Sequence, residues 1–169
     1  MKKISFLTPF LISAALSAQV AIGKTTLESS SSSIEFGDEN RGVVLPWVTD
    51  TSSVQSAVNG TLVFDTSDHK VKVYENNDWV DLSVDTTGIA DTTLQDSLNE
   101  NVNAKVAIGT ATATPGILVL EDTDKAMILP KVADPHLNII SPAPGMIVYD
   151  TNKKLLAVFN GTVWTFWGE

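Results

Sequence analysis

Apolar residues along this chain fall in short unbroken runs, and polar turn residues bound each run. Leu62-Val63-Phe64 and Met146-Ile147-Val148-Tyr149 read as strands covered on both faces. Lys70-Val71-Lys72-Val73 alternates instead, lysines outward and valines inward, as a half-solvated strand does. Asp65-Thr66-Ser67-Asp68 and Asp150-Thr151-Asn152 are turns, because Asp and Asn bond nearby backbone and tolerate left-handed conformations. Asn160-Gly161 is the favoured pair for a two-residue hairpin, and Asn76-Asn77 takes the same place earlier in the chain. Each half of the chain is thus expected to hold a three-strand antiparallel meander ending on a tryptophan, Trp79 or Trp164. Ahead of each meander lies a short helical or turn element. Asp50 is placed to cap Thr51 to Val58, and Asp134-Pro135 reads as a cap followed by proline at the first helical position.

The two halves are diverged copies of one module. Val20-Ala21-Ile22-Gly23 matches Val106-Ala107-Ile108-Gly109. Gly42-Val43-Val44-Leu45-Pro46 matches Ala126-Met127-Ile128-Leu129-Pro130. Gly60-Thr61-Leu62-Val63-Phe64-Asp65-Thr66 matches Gly145-Met146-Ile147-Val148-Tyr149-Asp150-Thr151, and Trp79 matches Trp164. The offset moves only from 86 (Val20 to Val106) through 84 (Leu45 to Leu129) to 85 (Trp79 to Trp164). The expected fold is all-β: two tandem small antiparallel modules, each a meander plus flanking strands. Residues 19–83 form the first, 106–169 the second, and 84–105 a polar linker. Leu94, Leu98 and Val102 recur every fourth residue there, so a short helix is one reading. A trimeric stalk of such helices needs more heptads than this stretch contains, so a linker resting on a neighbouring module is the preferred reading. Phe64, Tyr74, Trp79, Tyr149 and Trp164 are the expected repeat core.

Comparing the copies exposes a difference. Lys70 and Lys72 become Leu155 and Ala157 in the second copy, and Phe159 shares their face. In the last strand Trp164 and Phe166 lie on one face and Trp167 on the other. A module this small has little interior in which to hide two apolar faces. Leu155, Ala157, Phe159, Phe166 and Trp167 are therefore expected to meet another chain or the first module. Val20 and Ile22 join this candidate interface as part of an extended N-terminal segment able to complete a neighbour's sheet.

Composition narrows the compartment and the partners. Lys2 and Lys3, an apolar stretch from Ile4 to Leu16 and small residues to Ala18 read as an export leader over 1–18. The apolar run is short for a membrane span and contains Pro9. Without the leader's two lysines, 9 basic residues stand against 20 acidic ones, a net charge of −11. Such acidity disfavours nucleic acid and anionic lipid as partners. With no cysteine, disulfide, zinc–thiolate and cysteine-nucleophile chemistry are excluded.

With these motifs in view, the chain resembles the tail-fibre-like repeat proteins secreted by Bacteroidota. It shares the Gln19-Val20-Ala21-Ile22-Gly23 start and the Gly42-Val43-Val44-Leu45-Pro46 strand. The Pro142-Ala143-Pro144-Gly145 turn, Ile147-Val148-Tyr149-Asp150-Thr151 and Phe159-Asn160-Gly161-Thr162-Val163-Trp164 complete the set. Two departures stand out: Trp47 replaces an arginine, and Ala57-Val58-Asn59-Gly60 replaces the first copy's proline turn. The resemblance implies an elongated, commonly trimeric fibre or surface protein, outside or on a Gram-negative cell.

No catalytic constellation emerges. His69 and His136, the two histidines, lie in polar turn contexts, and no Gly-x-Ser-x-Gly elbow is present. The chain is read as a non-enzyme with no resident cofactor. Calcium is the one ion its oxygen-rich loops suggest, at Asp65-Thr66-Ser67-Asp68 and Glu121-Asp122-Thr123-Asp124, though neither has EF-hand spacing. The resulting reading is a structural subunit of an extracellular fibre or surface assembly, partnered by copies of itself as a trimer or head-to-tail polymer. The alternative is a secreted adhesin or glycan-binding module contacting a surface glycan or protein through Trp47 or Trp167.

Overall fold

A computed structural model describes residues 19–99, 101 and 103–168 of the chain. The expected leader and Val102 lie outside these residues. The fold is all-β. The first copy contributes β1 (Val20–Ile22), β2 (Ser32–Phe36), β3 (Val43–Val44), β4 (Trp47–Val48), β5 (Leu62–Asp65), β6 (Lys70–Glu75) and β7 (Asp78–Asp81). The second contributes β8 (Val106–Gly109), β9 (Leu118–Glu121), β10 (Ala126–Met127), β11 (Lys131–Val132), a single helical turn α1 (Pro135–Asn138), β12 (Met146–Asp150), β13 (Leu155–Phe159) and β14 (Trp164–Trp167).

Both meanders form as expected, β5-β6-β7 and β12-β13-β14, antiparallel throughout. The flanking strands are parallel instead: β1 on β2, β8 on β9, β4 on β5 and β11 on β12. Matching backbone bonds recur at matching positions. The Phe64 amide donates to the Pro46 carbonyl and the Tyr149 amide to Pro130, each at 2.9 Å. The Gly60 amide reaches Tyr74 and the Gly145 amide reaches Phe159, each at 2.8 Å. The repeat read from the letters is thus a repeat of hydrogen bonds.

Turn chemistry follows the side chains. Asp65 and Asp150 are buried at the ends of β5 and β12. Asp65 Oδ1 accepts from the Ser67 amide and Asp150 Oδ1 from the Asn152 amide, both at 2.9 Å, so each aspartate closes its own turn. Asn76 and Asn77 both take positive φ (51° and 64°) and make the two-residue hairpin. Asn160-Gly161 does not. It opens a longer 160–163 loop because the buried Asn160 side chain accepts from the Thr162 and Val163 amides and donates to Asp85. Asp134 also departs from expectation. It precedes Pro135 with φ 45° and makes no cap bond; its carboxylate instead accepts from Asn152 Nδ2. Asp50 caps as expected, but over a 3₁₀ turn of Thr51–Ser53 that ends at an extended Val54, short of the expected Val58.

Two apolar clusters hold the sheets. One belongs to the second copy: Val132, Ile139, Met146, Val148, Ala157 and Phe159, with Trp164 and Phe166 packed on it. The other joins the copies. Leu45, Phe64 and Val71 of the first pack with Ile147 and Val158 of the second. The apolar strand β13 therefore has both faces covered by its own chain, one by each cluster.

The 84–105 stretch forms turns and no helix among its described residues, and Leu94 and Leu98 are exposed. Its beginning lies along the second copy. Ala90 joins the shared cluster, and Gly161 approaches Ile89 so closely that a Cβ there would stand 2.2 Å from the Ile89 carbonyl oxygen.

Phe64 is fully buried where the copies meet. Phe64→Ala is expected to cost ~3–5 kcal/mol of stability, the usual range for an aromatic emptied from a packed core. Urea unfolding followed by tryptophan fluorescence checks this; a cost under ~1 kcal/mol would mean the shared cluster does not hold the copies together.

Candidate assembly site

The functional geometry of this chain lies in how its sheets are completed. β3, from the first copy, pairs antiparallel with the start of β12 in the second: Val44 opposite Met146 and Val43 opposite Ile147. The Leu45 amide extends the ladder to the Gly145 carbonyl at 3.0 Å. Reciprocally β10, from the second copy, pairs parallel with β2 of the first, the Ala126 amide bonding Ser31 and the Ile128 amide bonding Ile34. Each copy thus gives one short strand to the other. Exposed strand edges are templates for pairing, and the exchange covers two of them.

Side chains seal this joint. The Trp47 indole N–H donates to the Pro144 carbonyl at 2.8 Å, and its ring tilts against Phe64 with centroids 6.0 Å apart. Gly145 (φ 77°) lies on Phe64; a Cβ there would stand 2.7 Å from the Phe64 Cβ. Only glycine meets both the conformation and the closeness.

The residues singled out from sequence are distributed as follows. Ala157 and Phe159 are buried in the second copy's own cluster, so their expected role at an interface between chains is corrected: Ile139 and its neighbours cover them. Phe166 packs on the same cluster, with the His136 ring edge-on at 6.0 Å and Lys153 Nζ 3.8 Å above its centroid. Leu155 is half-buried beside Gly168. Trp167 remains 40% exposed, and its indole N–H donates to the Leu82 carbonyl. Val20 and Ile22 belong to β1, which pairs with β2 of its own chain, so that segment is not a free strand.

Of the expected repeat core, Phe64 is buried. Tyr74, Trp79 and Trp164 are half-buried in two equivalent cross-strand pairs, Tyr74–Trp79 and Phe159–Trp164, each with ring centroids 5.2 Å apart. Tyr149 departs from the core altogether. At the position of Phe64, it is 36% exposed.

Charged groups brace the sheets. Glu35, buried in β2, accepts from the Glu28 amide (2.8 Å), the Ser32 hydroxyl (2.6 Å), the Ser29 amide (2.9 Å) and Lys24 Nζ (3.0 Å). The Glu28 amide and Ser32 hydroxyl, then Ser29 and Lys24, hold its pKa at about 2 against the opposing effect of burial. This cage closes the loop between β1 and β2. It has no counterpart in the second copy, where Val119 replaces Glu35, and the sequence reading missed it. The signal was there in Lys24, Glu28 and Glu35, an unrepeated charged set in an otherwise repeated segment.

The oxygen-rich loops are partly engaged by lysine. Lys72 Nζ lies 2.6 Å from Asp68 and 3.2 Å from Asp65. Burial would raise the Asp65 pKa, but the Ser67 hydroxyl and amide and Lys72 outweigh it and lower it. Lys125 lies 3.4 Å from Asp122 in the second loop. Among the described residues no group of three or more His, Cys, Asp or Glu is arranged to hold a metal ion. His69, in the turn between β5 and β6, and His136, on α1, belong to different copies. No helix among the described residues is long and apolar enough to cross a membrane.

Compared with known proteins, residues 21–96 and 107–168 each match the family model of the phage tail like trimerisation region. Each matched stretch contains one meander, and the first runs on to residue 96, into the 84–105 stretch. No curated protein and no solved structure matches the chain.

Glu35 sets an acid limit. Its pKa is held below the ordinary 4.5, so its carboxylate stabilises the fold fully above about pH 4.5, and that stabilisation is lost as pH falls toward 2. Thermal unfolding from pH 7 to pH 2 is expected to show this loss. Glu35→Gln should lower stability at pH 7 and flatten the decline across the window; an unchanged slope would show that the cage does not couple to folding.

Proposed function

The chain belongs to the family of phage tail like trimerisation regions, and on that premise we propose that it is a non-enzymatic structural subunit of an extracellular fibre or cell-surface assembly, built as a homotrimer. The observation that carries this reading is the exchange of β3 and β10 between copies. A module that borrows strands to complete its sheets is a unit made for repetition rather than a free-standing binding domain. Homo-oligomers of such units close by symmetry.

Three features support the location and the absence of chemistry. The leader-like 1–18 stretch suits export. The net charge of −11 after its removal suits a soluble surface in the medium. The carboxylates of the first oxygen-rich loop are engaged structurally: Asp65 closes a turn and Asp68 pairs with Lys72. The glycan-binding alternative rested on Trp47 and Trp167. Trp47 is engaged between the copies, leaving Trp167 as its one aromatic face.

The test is mass in solution. The full chain, expressed with its leader in an exporting Gram-negative host, is expected outside the cytoplasm. By sedimentation velocity the exported protein should run at three times the mass of its single mature chain, or at larger multiples. A species of one chain mass at every concentration overturns the assembly reading, and cytoplasmic retention overturns the location.

A further inference from the structure

The exchange inside the chain leaves its mirror undone outside it. Alternate residues of a strand aim their backbone N–H and C=O to opposite sides. In the first copy Val43 and Leu45 face β12, which turns Val44 the other way. In the second copy Ala126 and Ile128 face β2, which turns Met127 and Leu129 the other way. Met127 and Leu129 are the repeat counterparts of Val43 and Leu45. Each copy's segment therefore fills one of two roles, and the role each leaves unfilled is the one its counterpart performs.

The acceptor edges left over match these donors. β5 is the counterpart of β12. β4 pairs with it only at Phe64 and Asp65, so on that side its start at Leu62 has no partner strand among the described residues. β9 is the counterpart of β2 and, among the described residues, pairs with β8 alone. Leu118 on β9 is 44% exposed and the adjoining Ile117 57%, whereas Ile34, at Leu118's position in β2, is 3% exposed.

An open groove of about 370 Å³ lies beside this unused donor edge, lined by Met127, Ile128, Leu129, Lys131 and Tyr149. Its counterpart in the first copy is occupied. Tyr149 and Lys131 stand where Phe64 and Trp47 stand, and over Phe64 and Trp47 lies the second copy's Pro144-Gly145 turn. The repeat counterpart of that turn is Asn59-Gly60. Gly60 has the same backbone form, φ 91° against 77°, and the same amide bond of 2.8 Å to the neighbouring strand. A Cβ at Gly60 meets nothing within 4 Å in the single chain, whereas one at Gly145 strikes Phe64.

We infer that the Met127–Leu129 edge and its groove receive the Ala57–Leu62 segment of a second copy of this chain, and that the same neighbour's Val44 edge adds to β9. The occupant is fixed by the joint the chain already makes with itself: the inference repeats that joint between the second module of one chain and the first module of the next. It rests on the self-association proposed above and specifies its contact surface. In a closed trimer each chain presents this donor edge to one neighbour and its β5 edge to the other.

The absence of cysteine makes the register directly testable. Thr61 and Ile128 are the counterparts of Met146 and Val44. Such directly opposed residues, when not hydrogen-bonded to each other, have Cα atoms about 4.5 Å apart, within disulfide range. Full-length Thr61→Cys and Ile128→Cys variants are mixed and oxidised under native conditions. A disulfide-linked heterodimer is expected from the mixture, and a covalent closed trimer from the double variant. Gly60→Asn is the second arm, since asparagine tolerates positive φ and the single chain has room for it. In the joint it collides with Tyr149, so self-association should weaken roughly tenfold or more while the thermal midpoint stays near that of the parent. Chains that still associate, yet give no Thr61–Ile128 link and tolerate Gly60→Asn, overturn this joint and leave the assembly reading standing. Chains that do not associate at all overturn both.

Discussion

The backbone of a two-residue strand cannot stabilise itself, and this constraint organises the molecule. β3 and β10 have two residues each. Alone, their N–H and C=O groups would be solvated and their side chains unanchored, and the entropy of fixing them would have no compensation. They are ordered because each lies on a sheet edge supplied by the other copy. The shared cluster of Leu45, Phe64, Val71, Ile147 and Val158 forms where this happens. Cross-copy pairing and cross-copy burial are therefore one event, and neither module is complete by itself.

Much of this was legible in the sequence, for local reasons. Meander strands are long enough to show periodicity, and Asp65 and Asp150 announce turns that the structure builds with their carboxylates. Aromatic pairs repeat because Trp79 and Trp164 stand opposite Tyr74 and Phe159. The parallel pairing of β1 with β2 was not legible, because parallel and antiparallel short strands share one pattern. The strand exchange was equally hidden. Gly42 to Pro46 and Ala126 to Pro130 look like one element used twice, and nothing in the letters says that the two uses face opposite directions.

The apolar surface of β13 was expected to meet another chain or the first module; one face does meet the first module, and the other is closed within its own copy. Two-faced β13 did require cover, but two clusters of its own chain supply it. The change from Lys72 to Ala157 between copies marks a second core, closed by Ile139 and Phe166, rather than a dock. In the first copy the same face stays polar, with Lys72 between Asp65 and Asp68 and Lys70 on Asp81. Turn chemistry misled once for a similar reason. Asn160-Gly161 suits a tight hairpin, yet the buried Asn160 amide is held by Asp85 and the loop beyond it. A tertiary bond outweighed the local preference.

Divergence between the copies orders the steps by which such a chain assembles. The internal joint is closed by Trp47 and Phe64, two aromatic rings around Gly145, with an indole N–H satisfied at Pro144. Its counterpart offers Lys131 and Tyr149, and Lys131 already lies 2.8 Å from Glu28, an exposed ion pair that contributes little. The internal joint therefore buries more aromatic surface. Tethering also gives it a high effective concentration, which the joint between chains lacks. In the proposed assembly each chain closes on itself first and then presents two ends of fixed register, the Met127–Leu129 edge with β9 at one and β5 with the Val44 edge at the other. Were the two joints equal in chemistry, tethering alone would set the internal one ahead of the joint between chains. Unequal residues at equivalent positions thus convert a symmetric repeat into a unit with two distinct ends.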